Sequence, residues 1–251
     1  MNAEILKQLD HINQQFYQNY SKSFSQTRGK LQSGVSAILD QIPQTGNWLD
    51  IGCGNGNLAH AWVNKGLNGF YYGVDLSSGL IADAQKDLPS CKASQKVNFI
   101  QTDVAKEDWI NGLPDVRWDG LFCFAVLHHI PGKERRAALC RQLMGLLPSG
   151  GNCYISVWQP KNSIRLAKRI QPWESVGLAD EDVEPDDVLM DWRAHQSGSG
   201  EPQALRFVHI FTRDELSGLA ADSGFTVQDT FLSDGKEGNL GLYQKWTVDF
   251  L

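Results

Sequence analysis

The sequence predicts a doubly wound α/β fold, a mostly parallel sheet with helices on both faces. Three observations predict it. Short apolar runs alternate with helical stretches between residues 48 and 158, the pattern of strands joined by crossover helices. Glycines at 52, 54 and 56 separate the first run from the first of those helices. Two apolar runs near the end, 225–232 and 241–248, are joined by SDGKEGN, a length suited to an antiparallel hairpin.

The elements follow in order. Ile5, Leu9, Ile12, Phe16 and Tyr20 recur close to every 3.6 residues, so 4–20 reads as an amphipathic helix that SKSFSQTRGK then breaks. A second helix spans 31–39 and stops near Pro43. Strands are expected at 48–51, 70–76, 97–102, 120–125 and 152–158, with helices at 58–65, 79–88 and 133–147. Right-handed crossovers fix their winding. The pattern changes after strand five. KNSIRLAKRI is basic, LADEDVEPDDV is acidic and HQSGSGEPQ reads as a loop. Residues 159–205 therefore read as an insertion without apolar residues for a core of its own. A short apolar run at 207–211 and a helix at 214–223 precede the final pair of strands. The expected organisation is N-terminal helices and a lid over 1–44, a core over 45–158, a substrate-side insertion over 159–205, and the rest of the same sheet over 206–251.

Composition narrows the class. The chain has 251 residues, enough for a full core in one or two domains. Its 41% hydrophobic and 21% charged residues exclude a disordered or collagen-like chain. A net charge of −6 argues against nucleic-acid binding driven by whole-chain charge, though not against a local basic patch. No apolar run is long enough to span a bilayer, and the polar, acid-bearing start does not read as a signal peptide. The five cysteines (Cys53, Cys91, Cys123, Cys140 and Cys153) form no C-x-x-C pair, which suggests reduced thiols in a cytoplasmic protein and no zinc site.

WLDIGCGNGNLA is the most informative segment. A strand ends at Ile51, three glycines follow, and a helix starts near Leu58. Glycine lets a ligand approach the backbone closely, and the helix beyond offers unpaired N–H groups. The spacing is G-x-G-x-G, which is neither the dinucleotide fingerprint nor a P-loop. One β-α unit later Asp75 ends the second strand, where a carboxylate can accept hydrogen bonds from both hydroxyls of a ribose. Asp103, ending the third strand in FIQTDVA, can meet an adenine edge.

The order D-x-G-x-G-x-G, strand-ending acid, TDVA and an apolar strand with LHHI resembles the class I S-adenosylmethionine-dependent methyltransferases over about 45–160. The resemblance implies a Rossmann-like, doubly wound, seven-stranded and mostly parallel sheet with an antiparallel last strand and an insertion after strand five. It implies S-adenosyl-L-methionine as cofactor. By the same resemblance Asp50, Gly52, Cys53, Gly54 and Gly56 border the methionine part, Asp75 takes the ribose with Ser77 beside it, and Leu76 flanks the adenine. Asp103 and Val104 line the adenine edge, and Phe124 and Ala125 lie beside the sulfonium.

Further segments extend the likeness over nearly the whole chain from Tyr20. FSQTR, VLHHIPGKERRAALCRQLMGLLPSGG, DVLMDWR, RFVHIFTRDEL and SDGKEGNLGLYQKW together resemble the tRNA wobble-uridine carboxymethyl methyltransferases. Asp191 stands where that family has proline, and Asn239–Leu240–Gly241–Leu242 replaces its aromatic-rich end. The resemblance implies methylation of a carboxylate on a modified wobble uridine. Eukaryotic members imply a small zinc-binding activator subunit, and the sequence leaves that partner open.

A carboxylate is ionised at neutral pH, so it needs no general base, only a dry pocket and a group that holds one oxygen and leaves the other free. Arg28, His128, His129, Arg206 and His209 are the candidates, and Arg28 is also a candidate lid over the cofactor. His128 and His129 follow strand four, where ligands gather in such sheets. With no third ligand at suitable spacing they suggest no metal. Lys161, Arg165, Lys168 and Arg169 form a basic cluster able to meet tRNA phosphates, and Lys133, Arg135, Arg136 and Arg141 form a second. Trp158, Trp173 and Trp192 offer stacking surfaces. Two other readings stay open. One is a small-molecule O-, N- or C-methyltransferase with the insertion as pocket lid, and the other a non-catalytic cofactor-binding protein.

Overall fold

The computed structural model describes residues 1–27, 30–86, 88–192 and 204–249. The chain runs through α1 (Ala3–Thr27), α2 (Ser33–Leu39), β1 (Thr45–Ile51), α3 (Asn57–Asn64), β2 (Asn68–Asp75) and α4 (Ser78–Lys86). It continues with β3 (Gln95–Gln101), β4 (Gly120–Phe124), α5 (Lys133–Gly145), β5 (Asn152–Trp158), α6 (Ile164–Ala167) and β6 (Ile170–Gln171). The last elements are β7 (Asp187–Trp192), β8 (Ala204–His209), α7 (Arg213–Asp222), β9 (Phe225–Ser233) and β10 (Gly241–Val248).

Seven strands form the main sheet in the order β3-β2-β1-β4-β5-β10-β9. β1 to β5 pair in parallel, and β10 runs antiparallel between β5 and β9. This is the doubly wound sheet with an antiparallel last strand that the sequence predicts. The central strands are largely apolar because both faces are covered. Leu49, Ile51, Leu121, Cys123 and Ile155 pack toward Leu139 and Leu143 of α5 and Leu216 of α7. The alternate residues Trp48, Phe122 and Tyr154 pack toward α2 and α3 on the other face, with Trp48 stacked on Phe122 at 4.8 Å. Cys123, Cys140 and Cys153 are buried core residues, as their apolar contexts suggest.

Two features differ from the sequence reading. α1 continues to Thr27, because nothing in SKSFSQT forbids helix and the first glycine comes at 29. The insertion is also more ordered than its charge pattern suggests. β6, β7 and β8 form a second, antiparallel three-stranded sheet, so the run at 207–211 begins in this sheet rather than in the main one. Its apolar face, with Leu189 and Phe207, is covered by Ile5 and Leu9 of α1. The missing apolar residues of the insertion are supplied by the N-terminal helix. The expected loop over 195–203 lies outside the described residues. Among the described residues no helix is long and apolar enough to cross a membrane.

Candidate active site

The strand order reverses between β1 and β4, and a crevice opens there at the carboxyl ends of the strands. β1 ends at Ile51 and the chain turns through residues 52–56 into α3. Gly52 has φ +71°, and a Cβ there would lie 2.3 Å from the Val126 side chain. Gly54 has φ +56°, and a Cβ there would meet nothing within 4 Å, since it would project into the crevice. Gly56 instead packs against Ala84 of α4.

Two carboxylates flank this loop. Asp75 accepts hydrogen bonds from the Gly54 N–H at 2.9 Å and the Ser77 N–H at 2.8 Å, one on each oxygen. Each oxygen has a second lone pair for a ligand hydroxyl. Burial raises the Asp75 carboxyl above its usual range, and the backbone donors oppose that shift. Asp50 lies deeper, 3% exposed, and accepts from the Tyr71 hydroxyl. Burial, reinforced by repulsion from Asp75, outweighs the Tyr71 hydrogen bond and pushes Asp50 up to about 7. The same burial holds Cys53 as a neutral thiol.

Three cavities meet at one residue. The first, of about 80 Å³, lies against Asp50, Gly52, Cys53, Gly54 and Asn55. The second, of about 150 Å³, lies against Asp75, Leu76, Asp103 and Val104 on the sheet side and Asp10, Asn13, Gln14 and Tyr17 on the α1 side. The third, also about 150 Å³, is walled by His128, His129, Trp158, Arg206, Asp234 and Tyr243. Ala125 lines all three, and Phe124 lines the first two. Ala125 has φ +58°, a strained conformation for a residue with a Cβ, held by its N–H donating to the Ser156 carbonyl and hydroxyl.

The histidine pair has fixed tautomers. His128 Nδ1 accepts from the Trp158 N–H at 3.2 Å, so its ring proton sits on Nε2. His129 Nδ1 lies 3.1 Å from the Phe207 carbonyl, which only accepts, so there the proton sits on Nδ1. Arg206 stacks its guanidinium over Trp158 at 4.6 Å and over Phe16 at 5.2 Å.

Other expected residues lie elsewhere. His209 is not among the residues lining these cavities. Its Nδ1 is 2.7 Å from Asp187 and its Nε2 2.8 Å from Glu215, so it ties the second sheet to α7. Burial opposes its charge, but the two carboxylates win and raise its pKa. Glu184, Asp187 and His209 have a donor set that could hold a metal ion, and sequence spacing gave no hint of it. Arg136 already answers this cluster with a 2.8 Å bond to Glu184. Ser77 lines none of these cavities and caps the start of α4 through its hydroxyl. Arg28 lies outside the described residues. In the basic cluster, Lys161 pairs with Asp186 at 2.9 Å, and Arg169 sits 4.0 Å from the buried Asp191. Arg165 and Lys168 are exposed. The second cluster turns partly inward, with Arg135 bonded to Asp10 at 3.0 Å.

Sequence reasoning missed the α1 wall. Asp10, Asn13, Gln14 and Tyr17 follow i, i+3, i+4, i+7 spacing, so a polar stripe was available to be read as a ligand-facing surface rather than a solvated one. Asn13 fixes that wall. Its side chain donates to the His129 carbonyl and accepts from the Phe207 N–H, both at 2.8 Å.

Comparison with known proteins agrees with this geometry. Residues 23–230 match the family described as a methyltransferase domain. The chain is 25% identical to the tRNA (carboxymethyluridine(34)-5-O)-methyltransferase of Schizosaccharomyces pombe, over 88% of this chain and 92% of that one. It is 31% identical to the trans-aconitate 2-methyltransferase of an Acidovorax species, over 58% of this chain and 48% of that one. Its fold is similar to that of magnesium protoporphyrin IX methyltransferase from Synechocystis, crystallised with bound SAH, with a TM-score of 0.63, 17% identity, and coverage of 95% and 98%. The residues fit such a cofactor. The space beside Gly54 is open, and the Asp50 and Asp75 carboxyl groups stand at the edges of the cavities that meet there.

Proposed function

We propose that this chain, which belongs to the methyltransferase domain family and uses S-adenosylmethionine, methylates the carboxylate of a modified wobble uridine in tRNA. The observation that carries the reading is the meeting of three cavities at Ala125, with Arg206 and His128 on the wall of the third. The first cavity takes the methionine part, next to Asp50, Gly52, Cys53 and Gly54. The second takes the nucleoside, with Asp75 on the ribose and Leu76, Asp103 and Val104 around the adenine. The third takes the acceptor.

When bound, the cofactor supplies a methyl group on a positive sulfur, which keeps the C–S electron pair as the new O–C bond forms. No proton moves. The protein's task is alignment of an in-line displacement. Arg206, whose guanidinium lies over the Phe16 and Trp158 rings, grips one carboxylate oxygen. His128 offers Nε2–H, a neutral donor that orients the acceptor without quenching the attacking oxygen. Opposite charges cancel as the bond forms, so exclusion of water by the bound acceptor favours the reaction. Lys161, Arg165, Lys168 and Arg169 are the phosphate contacts in this reading, with exposed Arg165 and Lys168 making most of the contribution. The near full-length match to the fission-yeast enzyme favours tRNA.

A second reading is methylation of a small organic acid. The modest acceptor cavity and the internal pairing of Lys161 and Arg169 support it, as does the trans-aconitate relative. The non-catalytic reading falls with membership of the family. Labelled methyl transfer into bulk tRNA, set against transfer into a small-acid extract, separates the two. Label found in small acids alone would remove the tRNA reading. Arg206→Met is expected to lower kcat/KM for the acceptor by about 10–100-fold, the scale of one charged hydrogen bond, with donor affinity unchanged by calorimetry. An unaltered kcat/KM would remove Arg206 from acceptor binding.

A further inference from the structure

A second space adjoins the adenine edge of the nucleoside cavity. It is a groove of about 470 Å³ that shares no lining residue with the acceptor cavity. Gln14, Leu76, Thr102 and Asp103 line both spaces, so the two adjoin along these side chains. The nucleoside cavity alone, at about 150 Å³, is smaller than the roughly 300 Å³ at which small-molecule sites begin. With the ribose at Asp75 and the methionine end at Gly54, the far edge of the adenine is the part left facing the groove. That edge carries the N6 amino group. Leu76 and Ile100 give the groove its accessible apolar surface, among polar residues that include Gln18, Lys106 and Asp108.

We infer that this groove is a subsite for a substituent on the adenine N6, so that the enzyme binds adenosyl ligands carrying a single flat apolar arm there. The inference rests on the cofactor placement given above. A singly substituted N6 keeps one N–H for the Asp103 carboxylate, whereas a doubly substituted one has none. The arm itself lies over Ile100, on half-buried apolar surface that the unmodified cofactor leaves uncovered.

Gly112 provides the control. It lines the groove at the end of a short turn, and a Cβ added there would meet only Ile100, at an ordinary 3.7 Å. A ring at this position takes up space in the groove, and Gly112 is not among the residues that line the nucleoside cavity. The experiment is calorimetry of the full chain with three ligands: S-adenosylhomocysteine, its N6-benzyl derivative and its N6,N6-dimethyl derivative. The benzyl derivative is expected to bind within about fivefold of S-adenosylhomocysteine, and the dimethyl derivative about tenfold or more weaker, the scale of one lost hydrogen bond to a charged group. Gly112→Phe is expected to keep the affinity for S-adenosylhomocysteine and to lose that for the benzyl derivative. If the parent protein binds S-adenosylhomocysteine but rejects the benzyl derivative, or if Gly112→Phe leaves both affinities equal, the subsite is overturned. If S-adenosylhomocysteine itself does not bind, the cofactor placement fails first and the subsite with it.

Discussion

At pH 8 the Asp50→Asn variant is expected to be more stable than the parent protein, by up to about 4 kcal/mol, with the gap closing as the pH falls toward 4. The figure follows from the displacement of Asp50 from 3.8 to about 7. Between those values the folded chain keeps a proton that the unfolded chain releases. Stability from this group is therefore greatest near and below pH 4 and declines as the pH rises, with the decline complete above about 7. Asparagine keeps an oxygen for the Tyr71 hydroxyl and cannot ionise, so the variant avoids the decline. His209, whose raised pKa also makes stability fall with rising pH, is present in both proteins and cancels in the comparison. Urea unfolding of the cofactor-free proteins across this pH range measures the difference, and a gap that does not depend on pH would refute the ionisation argument. The cofactor arm has the opposite sign. A cationic donor favours ionised Asp50, so binding near pH 6 is expected to release a proton, seen as a calorimetric enthalpy that varies with the buffer. The variant should lose that release along with affinity. The site thus holds a carboxylate that costs stability until the donor arrives.

Asp75→Ala is expected to weaken S-adenosylhomocysteine binding by about 1–3 kcal/mol, or roughly 5- to 150-fold. Two losses combine. The ribose hydroxyls lose a charged acceptor, and the N–H groups of Gly54 and Ser77 lose the carboxylate that sets the loop. Asp75→Asn separates them, because one amide oxygen can serve only one of the two backbone donors on the carboxylate's terms. Its affinity should fall between those of the parent and the alanine variant. Calorimetry with all three proteins at one pH is decisive, and equal affinities would place the ribose elsewhere.

The central part of the fold was legible because its strands announce themselves twice, as apolar runs and as the spacers between helices. β5 and β10 carry the bounds expected of them, Asn152–Trp158 and Gly241–Val248. The turn after β1 was legible because glycine at 52 and 54 is a backbone requirement, visible in the letters themselves. The second sheet was not, since β6 is two residues long and β7 contains Asp187 and Asp191, acids that obscure a strand until Arg169 and His209 are known to face them. The fate of His209 was hidden for the same reason. Its partners Asp187 and Glu215 come from different elements, and no spacing joins them. Gln14 and Tyr17 escaped because a polar helix stripe looks the same whether it faces water or a ligand.

Asn13 gives the N-terminal helix a further consequence. One side chain satisfies a peptide group of the histidine turn and another of β8, so raising the helix would strip both of partners at once. The second and third cavities are tied by the same link, since His129 lines both and its carbonyl is the one that Asn13 holds. Displacing α1 would therefore disturb both walls at once.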